Sequence, residues 1–120
     1  MKNEESLIEE KTFMFAKRMV KAYQYFSANK KEFVLSKQLL RSGTSIGAMV
    51  QEARFAQSKA DFINKLSIAL KEANEAKYWI RLLYETDYMD KSMYDSVYSD
   101  AKEIVAILVS IVRTSKGDNV

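Results

Sequence analysis

The sequence of 120 residues contains no cysteine, no histidine and no proline, and it has only three glycines. Without cysteine, the chain has no disulfide, no thiolate ligand and no thiol nucleophile. Without histidine as well, Ser-His and Cys-His catalysis, ordinary zinc sites and the Glu-x-x-His motif of di-iron bundles are excluded. The remaining carboxylate, lysine, tyrosine and serine side chains form no recognisable catalytic constellation. The sequence therefore predicts a protein that is not an enzyme and that uses no metal or cofactor.

Proline and glycine also supply the turns of strand-rich folds, so their scarcity favours an all-α protein. The longest apolar run, Ile104 to Val112, is too short for a bilayer, which needs about 20 residues. The acidic amino terminus does not resemble a signal peptide, so we expect a cytoplasmic protein with no membrane association. Apolar residues make up 48% of the chain, which favours a single folded domain over residues 1–120.

Apolar residues recur at helical spacing in four segments of the chain. The predicted helices span about residues 6–28, 33–56, 59–85 and 90–114. Ser6 with Glu9, and Ser58 with Asp61, have the spacing of N-terminal capping pairs, which place the starts of the first and third helices. Since short links between long helices favour antiparallel neighbours, the expected architecture is an up-down-up-down four-helix bundle.

The segment from Leu35 to Ala53 is unusual because small residues occupy the middle of a predicted helix. Gly43 and Gly47 lie one turn apart, and each costs about 1 kcal/mol relative to alanine in a helix. Keeping both favours a close approach by another backbone. That approach is either tight packing within the bundle or contact with a second subunit or a ligand.

The third predicted helix carries a second line of residues, placed about opposite its core stripe. The line consists of Ile68, Glu72, Glu75, Trp79 and Leu82. A large exposed tryptophan beside aliphatic side chains is typical of an interface, so we expect these residues, with Gly43 and Gly47, to form a homo-oligomer interface. A partner protein and scattered surface residues are the alternatives. The two glutamates could hold a metal, but ion pairs with Arg41 or Arg81 are the stronger expectation.

Positive charge is concentrated in the first half of the chain, although the net charge is only +3. Between Lys11 and Lys59 there are ten basic and two acidic residues. The basic side chains assigned to an exposed surface are Lys17, Arg18, Lys21, Lys30, Lys31, Lys37 and Arg41. Such a cluster favours contacts with nucleic-acid phosphates, but it also fits the solvated sides of amphipathic helices.

Two segments carry a resemblance to a known family: LSKQLLRSGTSIGAMVQEA, from Leu35 to Ala53, and ADFINKLSIALKEANEAKYWIRLL, from Ala60 to Leu83. Both closely resemble the four-helix-bundle family known as 23S rRNA-intervening-sequence proteins, except that Met49 replaces an asparagine usual there. That family is similar to the accessory variability determinant of diversity-generating retroelements, a basic pentameric barrel that binds nucleic acid and works with a reverse transcriptase. The resemblance implies a bacterial homopentameric ring without catalytic activity, with RNA or DNA and a polymerase-type protein as partners.

The favoured function is a non-enzymatic oligomer that binds nucleic acid, RNA in particular, through its phosphates. Since the sequence shows no stacking platform and no base-reading motif, we expect weak sequence specificity. The alternative is a homo-oligomeric protein-interaction scaffold with no direct role in nucleic-acid binding.

Overall fold

A computed structural model describes residues 2–117, with the side chains of residues 4–117. The four α-helices are α1 (Lys2–Asn29), α2 (Leu35–Arg54), α3 (Lys59–Glu85) and α4 (Lys91–Lys116). Residues 2–117 contain no strand, so the prediction of an all-α fold is confirmed. The helices form an elongated bundle with principal-axis extents of 45 × 26 × 19 Å.

Each helix packs against the next one along the chain, and α4 closes the bundle through a smaller contact with α1. Gly43 of α2 lies against Met19 of α1, and Gly47, one turn later, lies against the earlier residue Thr12. The two helices therefore run in opposite directions. Charged pairs between α2 and α3 and ring contacts between α3 and α4 follow the same reversed order. The predicted up-down-up-down arrangement is the one that the contacts show.

The core runs along the bundle axis and receives apolar side chains from all four helices. Its largest fully buried members include Phe15, Phe26, Ile46, Ile80 and Leu108. Burying each of these side chains contributes roughly 1.5–3 kcal/mol, which fixes the inward face of every helix. The outward faces, where a ligand or partner must bind, are set by the same packing.

The start of α1 differs from the prediction. The helix begins at Lys2, so Ser6 lies inside it and the predicted Ser6–Glu9 capping pair is wrong. Two glutamates occupy the first turn, where the helix dipole favours negative charge. Glu9 instead accepts a hydrogen bond from Arg54 of α2, with 2.7 Å between Nη1 and Oε1. The side chain that suggested a local cap therefore makes a long-range contact.

Local caps do define the starts of α3 and α4. The Ser58 hydroxyl accepts a hydrogen bond of 3.0 Å from the Asp61 N–H, and the Asp61 carboxylate accepts one of 3.2 Å from the Gln57 N–H. This reciprocal arrangement confirms the predicted capping pair. The Asp90 carboxylate caps α4 in the same way, accepting a bond of 2.8 Å from the Met93 N–H. Both helices are thus fixed at the ends of short links.

Candidate nucleic-acid interface

The loop between α1 and α2 is organised by the side chain of Glu32, which is only 8% exposed. Its carboxylate accepts hydrogen bonds from the N–H groups of Val34, Leu35 and Ser36, at 3.1, 2.9 and 2.7 Å. The Ser36 hydroxyl donates back to the Glu32 carbonyl oxygen at 2.8 Å, and Lys31 turns the chain with a positive φ of 54°. These bonds explain why α2 begins at Leu35, two residues later than predicted.

The same hydrogen bonds keep the Glu32 carboxylate ionised. Burial is the largest single influence and raises its pKa, but the N–H groups of Leu35, Ser36 and Val34 together lower that pKa below the ordinary value. No other acidic residue lies between Lys11 and Gln51 in the sequence. The one negative charge of this stretch is therefore directed into the start of α2 and away from the solvent.

Five of the seven predicted phosphate-binding side chains are exposed on the α1–α2 hairpin, and we call them the lysine surface. It consists of Lys17 and Lys21 on α1, Lys30 and Lys31 in the loop, and Lys37 near the start of α2. Among the described residues, none of the five forms an ion pair. Lys17 is closest to an aromatic ring, with its Nζ 5.4 Å from the ring centre of Phe13. Since α1 rises about 1.5 Å per residue, all five lie in the half of the hairpin nearest the loop.

The two predicted arginines differ from these lysines because their own protomer neutralises them. Arg18 donates to the Asp100 carboxylate of α4 and to the Ser96 hydroxyl. Arg41 donates to the Glu75 carboxylate of α3. Both guanidinium groups therefore help to hold helices together, and each would have to leave a carboxylate in order to contact a phosphate.

Three residues of the predicted interface line, Glu72, Glu75 and Trp79, lie at the seam of α3 with α2, so their placement opposite the core is wrong. Trp79 packs against the core, and its Nε1 donates to Glu75 at 3.1 Å. Arg41 reaches Glu75 and also lies 3.7 Å from the buried Glu72, which confirms the predicted ion pairs with Arg41. The remaining members, Ile68 and Leu82, are half-buried. The indole is thus covered in part by its own chain, which weakens the reason for placing a second subunit there.

The two glycines of α2 pack against α1 of the same protomer. A Cβ at Gly43 would collide with the buried Met19 side chain, approaching its Sδ to 2.9 Å, and a Cβ at Gly47 would lie 3.3 Å from the Thr12 carbonyl oxygen. Tight packing within the bundle therefore accounts for these small residues. Because its own protomer buries Gly43, the predicted interface role of this residue is corrected to a packing role. Gly47 is partly exposed.

Exposed apolar side chains are instead concentrated on the outer side of the α1–α2 hairpin. This side has a cavity that we call the phenylalanine groove. The groove measures about 410 Å³ and is lined in part by Phe13, Ala16, Thr44, Gly47 and Ala48. Phe13 in its wall is 64% exposed, and Phe55, which lies outside this cavity at the end of α2, is 72% exposed. This groove is not among the sequence predictions, although Phe13, Ala16 and Val20 recur at helical spacing beside the core stripe of α1.

A second cavity, which we call the tyrosine cleft, lies at the end of the bundle that carries the α1–α2 loop. It measures about 640 Å³ and has Tyr25, Tyr84 and Tyr88 in its wall, together with Lys30 of the lysine surface and Lys91. Its residues come from two distant parts of the chain, 25–30 and 84–91. No local pattern in the sequence could therefore have revealed it.

Three tyrosine rings stack beside this cleft along the seam between α3 and α4. The ring centres of Tyr84 and Tyr94 are 4.2 Å apart, and those of Tyr94 and Tyr98 are 5.1 Å apart. Burial raises the pKa of Tyr94, so the hydroxyl at the middle of the stack stays neutral. Tyr84 is the member of the stack that lines the cleft, and its contact with Tyr94 helps to hold its ring in place.

The described residues include neither a membrane-spanning helix nor a cluster of metal ligands. No helix among them has both the length and the apolar character needed to cross a membrane. No three histidine, cysteine, aspartate or glutamate side chains among them are grouped as a metal ion would require.

Comparison with known proteins gives the chain its family. Residues 4–110 match the family described as 23S rRNA-intervening sequence protein. The chain belongs to this family. The resemblance predicted from the two quoted segments is therefore confirmed, and it extends over most of the sequence.

A solved structure shows the fold of the 23S rRNA-intervening sequence protein family in a similar chain. A Bacteroides thetaiotaomicron protein, described as having unknown function and as coming from the S23 ribosomal protein family, is 51% identical to this chain. The match covers 92% of this chain and 98% of that one, with a TM-score of 0.91. No curated protein matches the sequence.

Proposed function

We propose that this member of the 23S rRNA-intervening sequence protein family is a non-enzymatic oligomer that binds nucleic acid, RNA in particular, through its phosphates. The lysine surface carries the proposal, because five exposed ammonium groups occupy the half of the α1–α2 hairpin nearest its loop, with no ion-pair partner among the described residues. The one carboxylate in this stretch is occupied by backbone N–H groups. Lysines in this state can neutralise phosphates and release their counterions.

The type of side chain determines what such a surface can recognise. Lysine presents a point charge without the planar fork with which arginine reads a guanine edge. The two arginines nearby are already bound to carboxylates. Contacts with the backbone of the nucleic acid should therefore dominate, and the affinity should depend weakly on base sequence.

Self-association supports the same function by adding binding surfaces. Each additional protomer brings another lysine surface and another net charge of +3. Linked copies convert weak individual contacts into a higher overall affinity when one nucleic acid spans several of them. A ring of five protomers is the assembly that the family resemblance favours.

The test compares two double variants that each remove two exposed lysines with no ion-pair partner among residues 4–117. Lys21→Ala with Lys37→Ala disrupts the lysine surface, whereas Lys71→Ala with Lys102→Ala removes the same charge from α3 and α4. At low ionic strength the first variant should bind a short RNA about tenfold more weakly than the wild type, and the second should bind much more tightly than the first. Equal losses in the two variants, or no binding by the wild-type protein, would contradict the proposal.

A homo-oligomeric interaction scaffold is the second candidate, and the exposed phenylalanines of the α1–α2 hairpin, Phe13 and Phe55, favour it. Two phenylalanines that are more than 60% exposed are unusual on a chain with no partner. A protein partner that stays bound after complete nuclease digestion would support this candidate. Loss of the partner on digestion would favour nucleic-acid binding.

A further inference from the structure

The lysine surface meets an aromatic cavity at one point, which is Lys30. This side chain belongs to the loop of unpaired lysines and also lines the tyrosine cleft, whose wall includes Tyr25, Tyr84 and Tyr88. At about 640 Å³, the cleft falls within the range of roughly 300–1,000 Å³ that is usual for pockets that hold small organic ligands. A phosphate held at Lys30 or Lys31 would leave its own nucleotide beside this opening.

The charges of the cleft determine which part of a nucleotide can enter it. Three acidic residues, Glu85, Asp87 and Asp90, lie on its wall, and they repel a phosphate. Two of them are already engaged, because Glu85 accepts a hydrogen bond from Arg81 and Asp90 caps α4. An uncharged group with an aromatic face suits this environment better than a phosphate.

The lysine on the opposite side of the cleft does not provide a second phosphate site. The Nζ of Lys91 donates to the Asp95 carboxylate at 2.9 Å, and this bond raises the pKa of Lys91. Its charge is therefore compensated within α4. Lys30 is the cleft lysine without such a partner among the described residues, which places phosphate at the lysine surface and leaves the tyrosines for the base.

We infer that the tyrosine cleft binds an unpaired nucleobase and that the preferred ligand is consequently single-stranded nucleic acid. The inference rests on the proposed function, which supplies the phosphate contacts. Stacking on an aromatic side chain tolerates any base, because every base has a π face. A base in a duplex is paired and stacked within the helix, so it cannot enter the cleft unless the duplex opens.

The first test needs no variant of the protein. Binding is measured by fluorescence anisotropy for a single-stranded RNA of about twelve nucleotides, for its duplex, and for an abasic strand with the same phosphates. One stacked base contributes roughly 1–3 kcal/mol, so the ordinary strand should bind about 5-fold to 150-fold more tightly than the abasic strand. It should also bind more tightly than the duplex.

The second test assigns the effect to the cleft. Tyr25 is 41% exposed, so Tyr25→Leu should leave the fold intact, and Tyr25→Phe keeps the aromatic face. The leucine variant should lose at least about fivefold in affinity for the ordinary strand and none for the abasic strand, while the phenylalanine variant should bind like the wild type. Tyr78→Leu, which removes an exposed tyrosine from α3 outside the cleft, is the control.

The outcomes separate this inference from the proposed function. If the ordinary, abasic and duplex ligands bind equally well, or if Tyr25→Leu and Tyr78→Leu behave alike, the cleft takes no base and the inference is wrong, although the phosphate contacts stand. If none of the three ligands binds at low ionic strength, the proposed function fails and the inference fails with it.

Discussion

At the scale of a single residue, the Glu32 side chain affects both the start of α2 and the charge of the lysine surface. Its carboxylate satisfies three backbone N–H groups at the start of α2, donors that the helix itself leaves without partners. It also keeps the only acidic charge of this stretch away from the solvent. One side chain thus stabilises the loop and leaves the lysine surface free to contact anions.

Glu32→Gln is expected to lower the free energy of unfolding by about 1–2 kcal/mol, because a neutral amide oxygen accepts these hydrogen bonds less strongly than a carboxylate. Urea denaturation at neutral pH measures the change. Glu52→Gln is the matched control, since Glu52 is exposed and its nearest charged partner, Lys65, lies 3.9 Å away. The control should change the stability by less than about 0.5 kcal/mol. Equal effects of the two substitutions would show that the cap contributes nothing.

Acid should weaken the same cap. The pKa of Glu32 is lower in the folded protein than the ordinary value of 4.5, so its stabilising contribution is complete above that ordinary value and is lost as the pH falls through the folded value. The stability difference between the wild type and Glu32→Gln should therefore shrink on acidification below about pH 4.5. A difference that stays constant down to the acid transition would contradict this assignment.

The chemical types of the candidate binding residues could be predicted from the sequence, but their ionic state could not. The free lysines and the engaged arginines have the same charge and similar local patterns. They differ in whether a carboxylate from a distant part of the sequence packs beside them. The partner of Arg18, for example, is Asp100, which comes 82 residues later. Helical periodicity contains no information about such a contact, so two of the seven predicted phosphate contacts fall on side chains that are already paired.

At the scale of secondary-structure elements, the close approach of α1 and α2 depends on the absence of side chains in α2. Gly43→Ala should destabilise the bundle although alanine favours helix by about 1 kcal/mol, because the new Cβ collides with the buried Met19 side chain. The collision should cost roughly 1–3 kcal/mol. Since the gain in helix propensity offsets part of this cost, the free energy of unfolding measured in a urea titration should fall by about 1 kcal/mol.

Gly47→Ala is the matched comparison for that substitution. Its Cβ would meet the Thr12 carbonyl oxygen at 3.3 Å, a far milder contact, so the helix-propensity gain should offset most of the strain. The free energy of unfolding should therefore change less than in Gly43→Ala. If Gly43→Ala proves as stable as the wild type or more stable, close packing does not explain the glycine.

The helices themselves were largely predictable, and the exceptions have physical causes. The bounds of α3 agree with the prediction, because the Ser58 cap and a regular apolar spacing act together. The start of α1 was missed because Glu9, which suggested a cap with Ser6, pairs with a distant arginine. The second line of α3 was misplaced for a related reason: spacing along a helix gives angles about its own axis, but it does not show on which side α2 packs.

At the scale of the whole molecule, the exposed lysines of the lysine surface and most of the large exposed apolar side chains are on the α1–α2 hairpin. The lysines that lack an ion pair among the described residues lie in the half nearest its loop, and the phenylalanine groove lies on its outer side. The α2–α3 seam, by contrast, is closed by ion pairs and by the partly buried Trp79. The proposed contacts with nucleic acid and the proposed contacts with another copy therefore both fall on this hairpin.

An oligomer formed through this hairpin should dissociate when its exposed phenylalanines become polar. The variant Phe13→Gln with Phe55→Gln should have a smaller mass by light scattering at micromolar concentration than the wild type, because burial of apolar area would no longer favour association. Tyr78→Gln, which alters an aromatic residue with 59% exposure on α3, should keep the wild-type mass. A monomeric wild type would contradict self-association, and a loss of mass in Tyr78→Gln alone would place the interface on α3.

The most direct measurement of the proposed function is the salt dependence of RNA binding by the wild-type protein. If all five members of the lysine surface contact phosphates of a single strand, the logarithm of the association constant should fall linearly with the logarithm of the salt concentration, with a slope of about −3.5 per protomer. Affinity that does not change with salt, or no detectable binding at low ionic strength, would contradict the proposal that these lysines form a nucleic-acid interface.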